Sequence, residues 1–168
     1  MSSSNPSLFG RRAALLLLGG AVAGCGFSPV YAPGGQGDGL QGLILADAPD
    51  NRDAFDFVGQ FERRLGRGTN ARYTLRYEIQ PRSEGVGITP AAETTRFNLF
   101  GGVTYAVIAP EPDRQVTAGF VENFTGYSTT RFTVATQTAE RDARERLMTI
   151  LADQVVTKLV TTAPDWLG

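Results

Sequence analysis

The chain has 168 residues, a formal net charge of −1, 42% hydrophobic and 20% charged residues, which suits one globular core and supplies no basic field for general nucleic-acid binding. It contains no histidine and a single cysteine, so Ser/His/Asp and Cys/His catalysis, an intramolecular disulfide and a thiolate metal cluster are excluded. The sole lysine, Lys158, falls in a helical pattern and no carboxylate pair is placed for acid–base work, so neither an enzyme nor a cofactor is expected.

At the N-terminus, Arg11 and Arg12 precede an uncharged apolar run from Ala13 to Ala23, the layout of a secretory signal. The run is about half of the roughly 20 residues that a membrane-spanning helix requires, which favours removal over a permanent span. It closes with Val22, Ala23, Gly24 and Cys25, which look like a bacterial lipobox: small side chains for the signal peptidase groove, then a thiol to be acylated. Residues 1–24 are therefore expected to be a lipoprotein signal peptide, with Cys25 the lipidation site. A structural core thiol is the competing reading. Each buried methylene of an acyl chain contributes about 0.8 kcal/mol, so two or three chains make a lasting anchor. Gly26 in place of aspartate directs the product to the outer membrane under the enterobacterial sorting rule. The paired arginines leave general and twin-arginine export both open. Residues 25–39, rich in Gly and Pro, read as a flexible tether.

A single domain is expected over residues 40–168. Leu40 to Ala46 reads as a short strand. Asp50 and Asn51 then offer N-caps to a helix over about 51–66, whose Ala54, Val58, Phe61 and Leu65 share one face. Arg63 and Arg64 suit its negative end, and Gly66 and Gly68 its stop. From Ala71 the period becomes two, with Tyr73, Leu75, Tyr77 and Ile79 opposite Arg72, Thr74, Arg76 and Glu78. Pro81, Gly85, Gly87 and Pro90 predict a long kinked hairpin connection.

A third strand is predicted over about Thr94 to Ile108, with Phe97, Leu99, Val103, Tyr105 and Val107 on one face, and with a bulge at Gly101 and Gly102. A fourth, about Gln115 to Tyr127, has Val116, Ala118, Phe120 and Phe124 alternating with more polar positions. The longest periodic segment follows, with Ala135, Ala139, Ala143, Leu147, Leu151, Val155 and Leu159 on one stripe. Its Glu140 and Arg144, and its Asp142 and Arg146, stand in the favourable i, i+4 order. The order β-α-β-β-β-α then predicts an α+β fold: two helices packed on one face of a four-stranded, largely antiparallel sheet, the other face left open.

The start Cys25-Gly26-Phe27-Ser28-Pro29-Val30-Tyr31, the glycine-kinked second strand with Thr95 and Arg96 opening the third, and the tyrosine and long Ala-rich helix after the fourth together resemble the lipopolysaccharide-assembly lipoprotein family LptE in its alphaproteobacterial form. The resemblance runs over nearly all of residues 15 to 162. It implies a non-enzymatic outer-membrane lipoprotein that plugs the β-barrel LptD, helps that barrel assemble, and binds lipopolysaccharide on its way to the cell surface. It also implies two helices on a four-stranded sheet. An accessory lipoprotein of an envelope lipid-transport ABC system is the alternative, since such subunits also place a short α/β domain behind a lipobox.

Lipopolysaccharide carries phosphates and acidic sugars beside acyl chains, and Arg72, Arg76 and Arg96 on the open strand face are the candidate ligand-binding residues. The same arginines also suit a wet strand face that only keeps the sheet soluble. Phe100, Phe120 and Phe124 are expected to fill the sheet core, with contact to a barrel's inner wall as the second reading. No metal site is expected, and Gly85 and Gly87 form no phosphate loop because no helix start with Lys follows.

Overall fold

The computed structural model describes residues 38–88, 94–110, 113–129 and 132–167. The signal peptide, Cys25, most of the tether, and Pro90 of the hairpin connection lie outside the described residues. Element order is β1 (Ile44–Ala46), α1 (Arg52–Leu65), β2 (Tyr73–Ile88), β3 (Thr94–Ala109), β4 (Arg114–Ser128) and α2 (Thr133–Trp166). The sheet order is β1-β2-β3-β4, with β1 parallel to β2 and the other two pairings antiparallel. Two helices on a four-stranded, mostly antiparallel sheet is the expected fold.

Helix α1 starts where Asn51, in extended conformation, accepts a hydrogen bond at Oδ1 from the Ala54 N–H at 2.9 Å. That side-chain acceptor satisfies one of the amides left without a partner in the first turn. The helix stops at Gly66, whose φ of 76° few other residues adopt. Its predicted face is buried, and Phe57 joins it, 5.1 Å from the Tyr77 ring. Strand β1 begins later than Leu40, because Asp38–Leu40 form a 3-10 turn and Gly42 takes a φ of 69°. Leu43 donates to the Leu40 carbonyl at 3.2 Å, and Gly42 donates to that of Leu65 at 2.7 Å, so this stretch closes onto α1.

The second strand runs further than the sequence predicts, through Pro81 and Gly85 to Ile88. Since β1 pairs with Tyr73, Thr74 and Leu75, the rest of β2 has no strand partner on that side among the described residues, and a strand tolerates proline at such an edge. The expected kink survives as register shifts at Gly85, Gly87 and Ile88. By contrast, Gly101 and Gly102 pair in regular register with Pro81 and Gln80, and no bulge forms there. Gly101 is required by close approach instead: a Cβ on it would sit 2.9 Å from Leu151 Cδ1 and 3.0 Å from Leu147 Cδ2 of α2. The register break of β3 against β4 lies between Val107 and Ile108.

One face of the sheet, carrying Leu75, Leu99, Val103, Tyr105, Val107 and Val121, packs against both helices. Helix α2 is 34 residues long, about 50 Å at 1.5 Å per residue. Its stripe is buried from Ala143 onward, whereas Ala135 is exposed and Ala139 half-buried. Polar staples join the helices. Asp153 of α2 accepts from Arg64 Nε and Nη2, each at 2.8 Å, and from Gln60 Nε2 at 2.8 Å. The Arg64 hydrogen bonds hold the Asp153 carboxyl below its ordinary pKa, against an opposing effect of burial. Arg144 bonds both Glu140 and Asp53, at 3.1 and 3.0 Å; burial disfavours its charge, but the two carboxylates prevail and raise its pKa. Asp142 and Arg146 form no ion pair among the described residues.

Candidate functional site

The sheet face away from the helices is the candidate site, and strand register assembles it. Arg82 stands opposite Phe100, which stands opposite Phe124; one rung along, Gln80, Gly102 and Glu122 align, and then Glu78, Thr104 and Phe120. Phe120 and Phe124 are therefore not core residues, being 50% and 57% exposed. The expectation that Phe100, Phe120 and Phe124 fill the core fails for all three, Phe100 being half-buried on the same outer face, because the inward β4 positions beside them have little room for a large side chain. A Cβ on Gly119 would lie 2.6 Å from Tyr105 Oη, and Thr125 Oγ1 donates to the Ala143 carbonyl of α2 at 3.0 Å. Tyr105 and the helix already fill the volume that a large inward side chain would need.

The outward side chains form a stack. The Arg82 guanidinium carbon lies 4.8 Å from the Phe100 centroid, within cation–π range, and the Phe100 and Phe124 rings are 5.6 Å apart with a 35° tilt. Phe120 covers the backbone of Gly102, where a Cβ would sit 2.9 Å from its Cε2. Between these rings lies an open concavity of about 930 Å³ lined by Gln80, Arg82, Phe100, Phe120, Glu122 and Phe124. Arg82 also approaches Glu84 at 3.4 Å, and at the sheet edge Lys158 Nζ donates to the Phe120 carbonyl at 3.1 Å.

Of the arginines singled out from the sequence, Arg76 and Arg96 lie on this face and Arg72 is exposed at the foot of β2. They are not brought together. Arg76 pairs with Ala106, ten positions from Arg96 on β3, which at 3.3 Å per residue separates the two by about 30 Å. Arg76 is drawn toward Asp113 at 3.6 Å, whereas Arg96 lies near the far end of the sheet, opposite Gly87 and Ser128. Arg82, between them, was not singled out: flanked by Pro81 and Ser83, it reads as part of a turn, and only the register sets it beside two phenylalanines. Among the described residues there is no cluster of three or more metal-ligating side chains, and no helix is long and apolar enough to cross a membrane.

The family model described as "LptE: Lipopolysaccharide-assembly" matches residues 40–159, a stretch that holds all four strands, the first helix and most of the second. The chain belongs to the LptE family. Membership implies a role in lipopolysaccharide assembly, and the family is one of non-enzymatic envelope lipoproteins, in agreement with the expectation of a binder over a catalyst. No curated protein matches the chain significantly. Among solved structures, a lipoprotein from Caulobacter crescentus CB15 is similar with a TM-score of 0.63 at 20% identity, over 75% of this chain and 93% of that one. The rare lipoprotein B from Shewanella oneidensis gives 0.56 at 12%, over 74% and 97%. A minor lipoprotein from Acinetobacter baumannii gives 0.53 at 18%, over 71% and 89%. At such identities these likenesses concern the fold alone, and they agree with the architecture above.

Proposed function

We propose that this LptE-family protein is of the alphaproteobacterial form, is exported by its N-terminal signal, acylated at Cys25 and held at the outer membrane facing the periplasm. There it serves as plug and assembly partner of an LptD-like β-barrel and binds lipopolysaccharide in transit. The observation that carries this reading is the family match across residues 40–159. The lipobox and the Gly/Pro-rich stretch before residue 40 support the tethered arrangement, since an acylated N-terminus and an extensible linker let a folded domain reach a partner in the same membrane. Arg72, Arg76 and Arg96 are proposed as basic contacts for the phosphates and acidic sugars of the ligand, with guanidinium groups offering paired donors to such oxygens.

The test is affinity purification of the tagged full-length chain from membranes in mild detergent. Recovery of a large β-barrel is the expected result, and recovery of none overturns the partner assignment. Intact mass of the same preparation checks the anchor: the wild type should carry a diacyl or triacyl increment that Cys25→Ser lacks, and an unmodified wild type overturns it.

A further inference from the structure

We propose that the concavity on the open sheet face is a subsite for uncharged sugar rings, and so engages the glycan part of lipopolysaccharide in preference to its phosphates. The inference rests on the lipopolysaccharide-binding reading above and adds which part of the ligand this surface recognises.

Three observations carry it. The first is shape: a depression of about 930 Å³ falls within the 300–1,000 Å³ typical of small-ligand sites, and because Gly102 adds no side chain of its own at the base, the Phe120 ring packs over β3 there and forms one wall. The second is the wall. Phe120 and Phe124 expose half or more of their surface, so β4 places both of its phenylalanines outside while Val121 and Tyr127 serve the core. Aromatic faces carry the negative lobe of the ring quadrupole, to which the polarised C–H bonds of a pyranose are complementary. The third is charge. The lining holds one guanidinium, Arg82, and one carboxylate, Glu122, with Glu84 3.4 Å from Arg82 and Glu78 a further acid on the same face. A phosphate site needs an excess of cations, which is absent here. Donors and acceptors in balance, from Arg82, Gln80 and Glu122, match hydroxyl groups, each of which both donates and accepts. A concave surface with exposed rings also differs from a flat apolar contact face, where protruding side chains would meet a partner's pocket.

The experiment uses the full-length chain purified in detergent and three probes from one lipopolysaccharide preparation: the intact molecule, its lipid A, and the core oligosaccharide released by mild acid, dephosphorylated and end-labelled for fluorescence anisotropy. The oligosaccharide should bind, and Phe120→Ala combined with Phe124→Ala should weaken it by about tenfold or more while lipid A binding is unchanged. Both rings are exposed, so a retained circular dichroism spectrum and melting temperature will show that the variant is folded. If intact lipopolysaccharide binds and the oligosaccharide does not, the subsite is overturned and the broader reading stands. Unchanged oligosaccharide binding in the double variant also overturns it. If none of the three probes binds, both readings fall. Loss of barrel recovery in the double variant, with no oligosaccharide binding to the wild type, reassigns this face to the barrel and overturns the subsite.

Discussion

Gly102 and Phe120 occupy one volume on the open face: the ring lies where a β3 side chain would otherwise stand, and a Cβ on Gly102 would come within 2.9 Å of Cε2 and 3.0 Å of Cζ. Gly102→Val is therefore expected to push the ring off the strand and fill the floor of the concavity. A half-exposed ring has solvent to move into, and valine favours a strand, so the stability change should stay within about 1 kcal/mol. Denaturant unfolding measures that change. Loss of the nuclear Overhauser contact between the Phe120 ring and residue 102 measures the displacement, and a retained contact contradicts it.

The elements whose amphipathicity faces a single partner were legible in the sequence. Ala54, Val58, Phe61 and Leu65 are all buried and Leu99, Val103, Tyr105 and Val107 of β3 face the helices, because burial alone decides those patterns, and Asn51 is the cap because a local side-chain acceptor serves the first helical amides. Strand β4 misleads because its inward positions are set by neighbours distant in sequence. Gly119 is small to admit Tyr105, and Thr125 is polar because it meets a helix carbonyl. A pattern confined to one strand carries no record of either contact. The aromatic and arginine stack was hidden for the same reason: Arg82, Phe100 and Phe124 sit on three strands and meet only through register.

Asp153 ties α1 to α2, and its carboxyl is held below the ordinary range chiefly by the Arg64 hydrogen bonds. The unfolded carboxyl titrates at about 3.9 and the folded one lower, so on acidification the unfolded chain takes up the proton first. The stabilisation is thus fully present above about pH 4 and fades as pH falls through the folded value. Asp153→Asn should lower stability at pH 7 by about 0.5–1 kcal/mol, a modest figure because both partners are partly exposed. The gap between variant and wild type should close below pH 4 in unfolding experiments. A gap independent of pH contradicts the assignment.

Tyr77 donates its hydroxyl to the Asp47 carbonyl at 3.2 Å, and its pKa is pushed up to about 12 by burial, then by the charges of Asp50 and Asp47. The unfolded phenol ionises near 10, so its contribution to stability is intact below about pH 10 and is lost as pH rises through 12. Tyr77→Phe should be less stable than wild type near neutrality, by about 1 kcal/mol for the lost hydrogen bond. Unable to ionise, it should gain on the wild type between pH 10 and 12. Unfolding curves across that range, with phenolate absorbance at 295 nm, decide the point.

Gly119 and Tyr105 define a tighter contact than any on the open face, because Tyr105 is only 4% exposed and has little room to move. A Cβ at residue 119 would lie 2.6 Å from Oη and 2.8 Å from Cζ. Gly119→Ala is therefore expected to destabilise by about 1–3 kcal/mol, the usual cost of overpacking. Adding Tyr105→Phe should recover a part of this by removing Oη, while the contact with the ring carbon remains. Thermal unfolding of the single and double variants measures both effects, and a neutral Gly119→Ala contradicts the packing described.

Arg76 and Arg96 differ in how free their charges are to meet an anionic ligand. Arg76 is already drawn to Asp113 at 3.6 Å, while Arg96 makes no ion pair among the described residues and lies about 30 Å along the sheet. A charge-assisted hydrogen bond contributes about 1.5–3 kcal/mol, and an existing partner must first be displaced before Arg76 can offer one. Under the proposed function, Arg96→Glu should weaken lipopolysaccharide binding by about tenfold or more, and Arg76→Glu by much less. Because the sites are far apart and share no partner, the free-energy changes in the double variant should add. Binding of labelled lipopolysaccharide to the folded variants gives all three values. If the double variant with Arg72→Glu added binds as the wild type does, the arginine surface takes no part in recognition and the ligand must be held elsewhere.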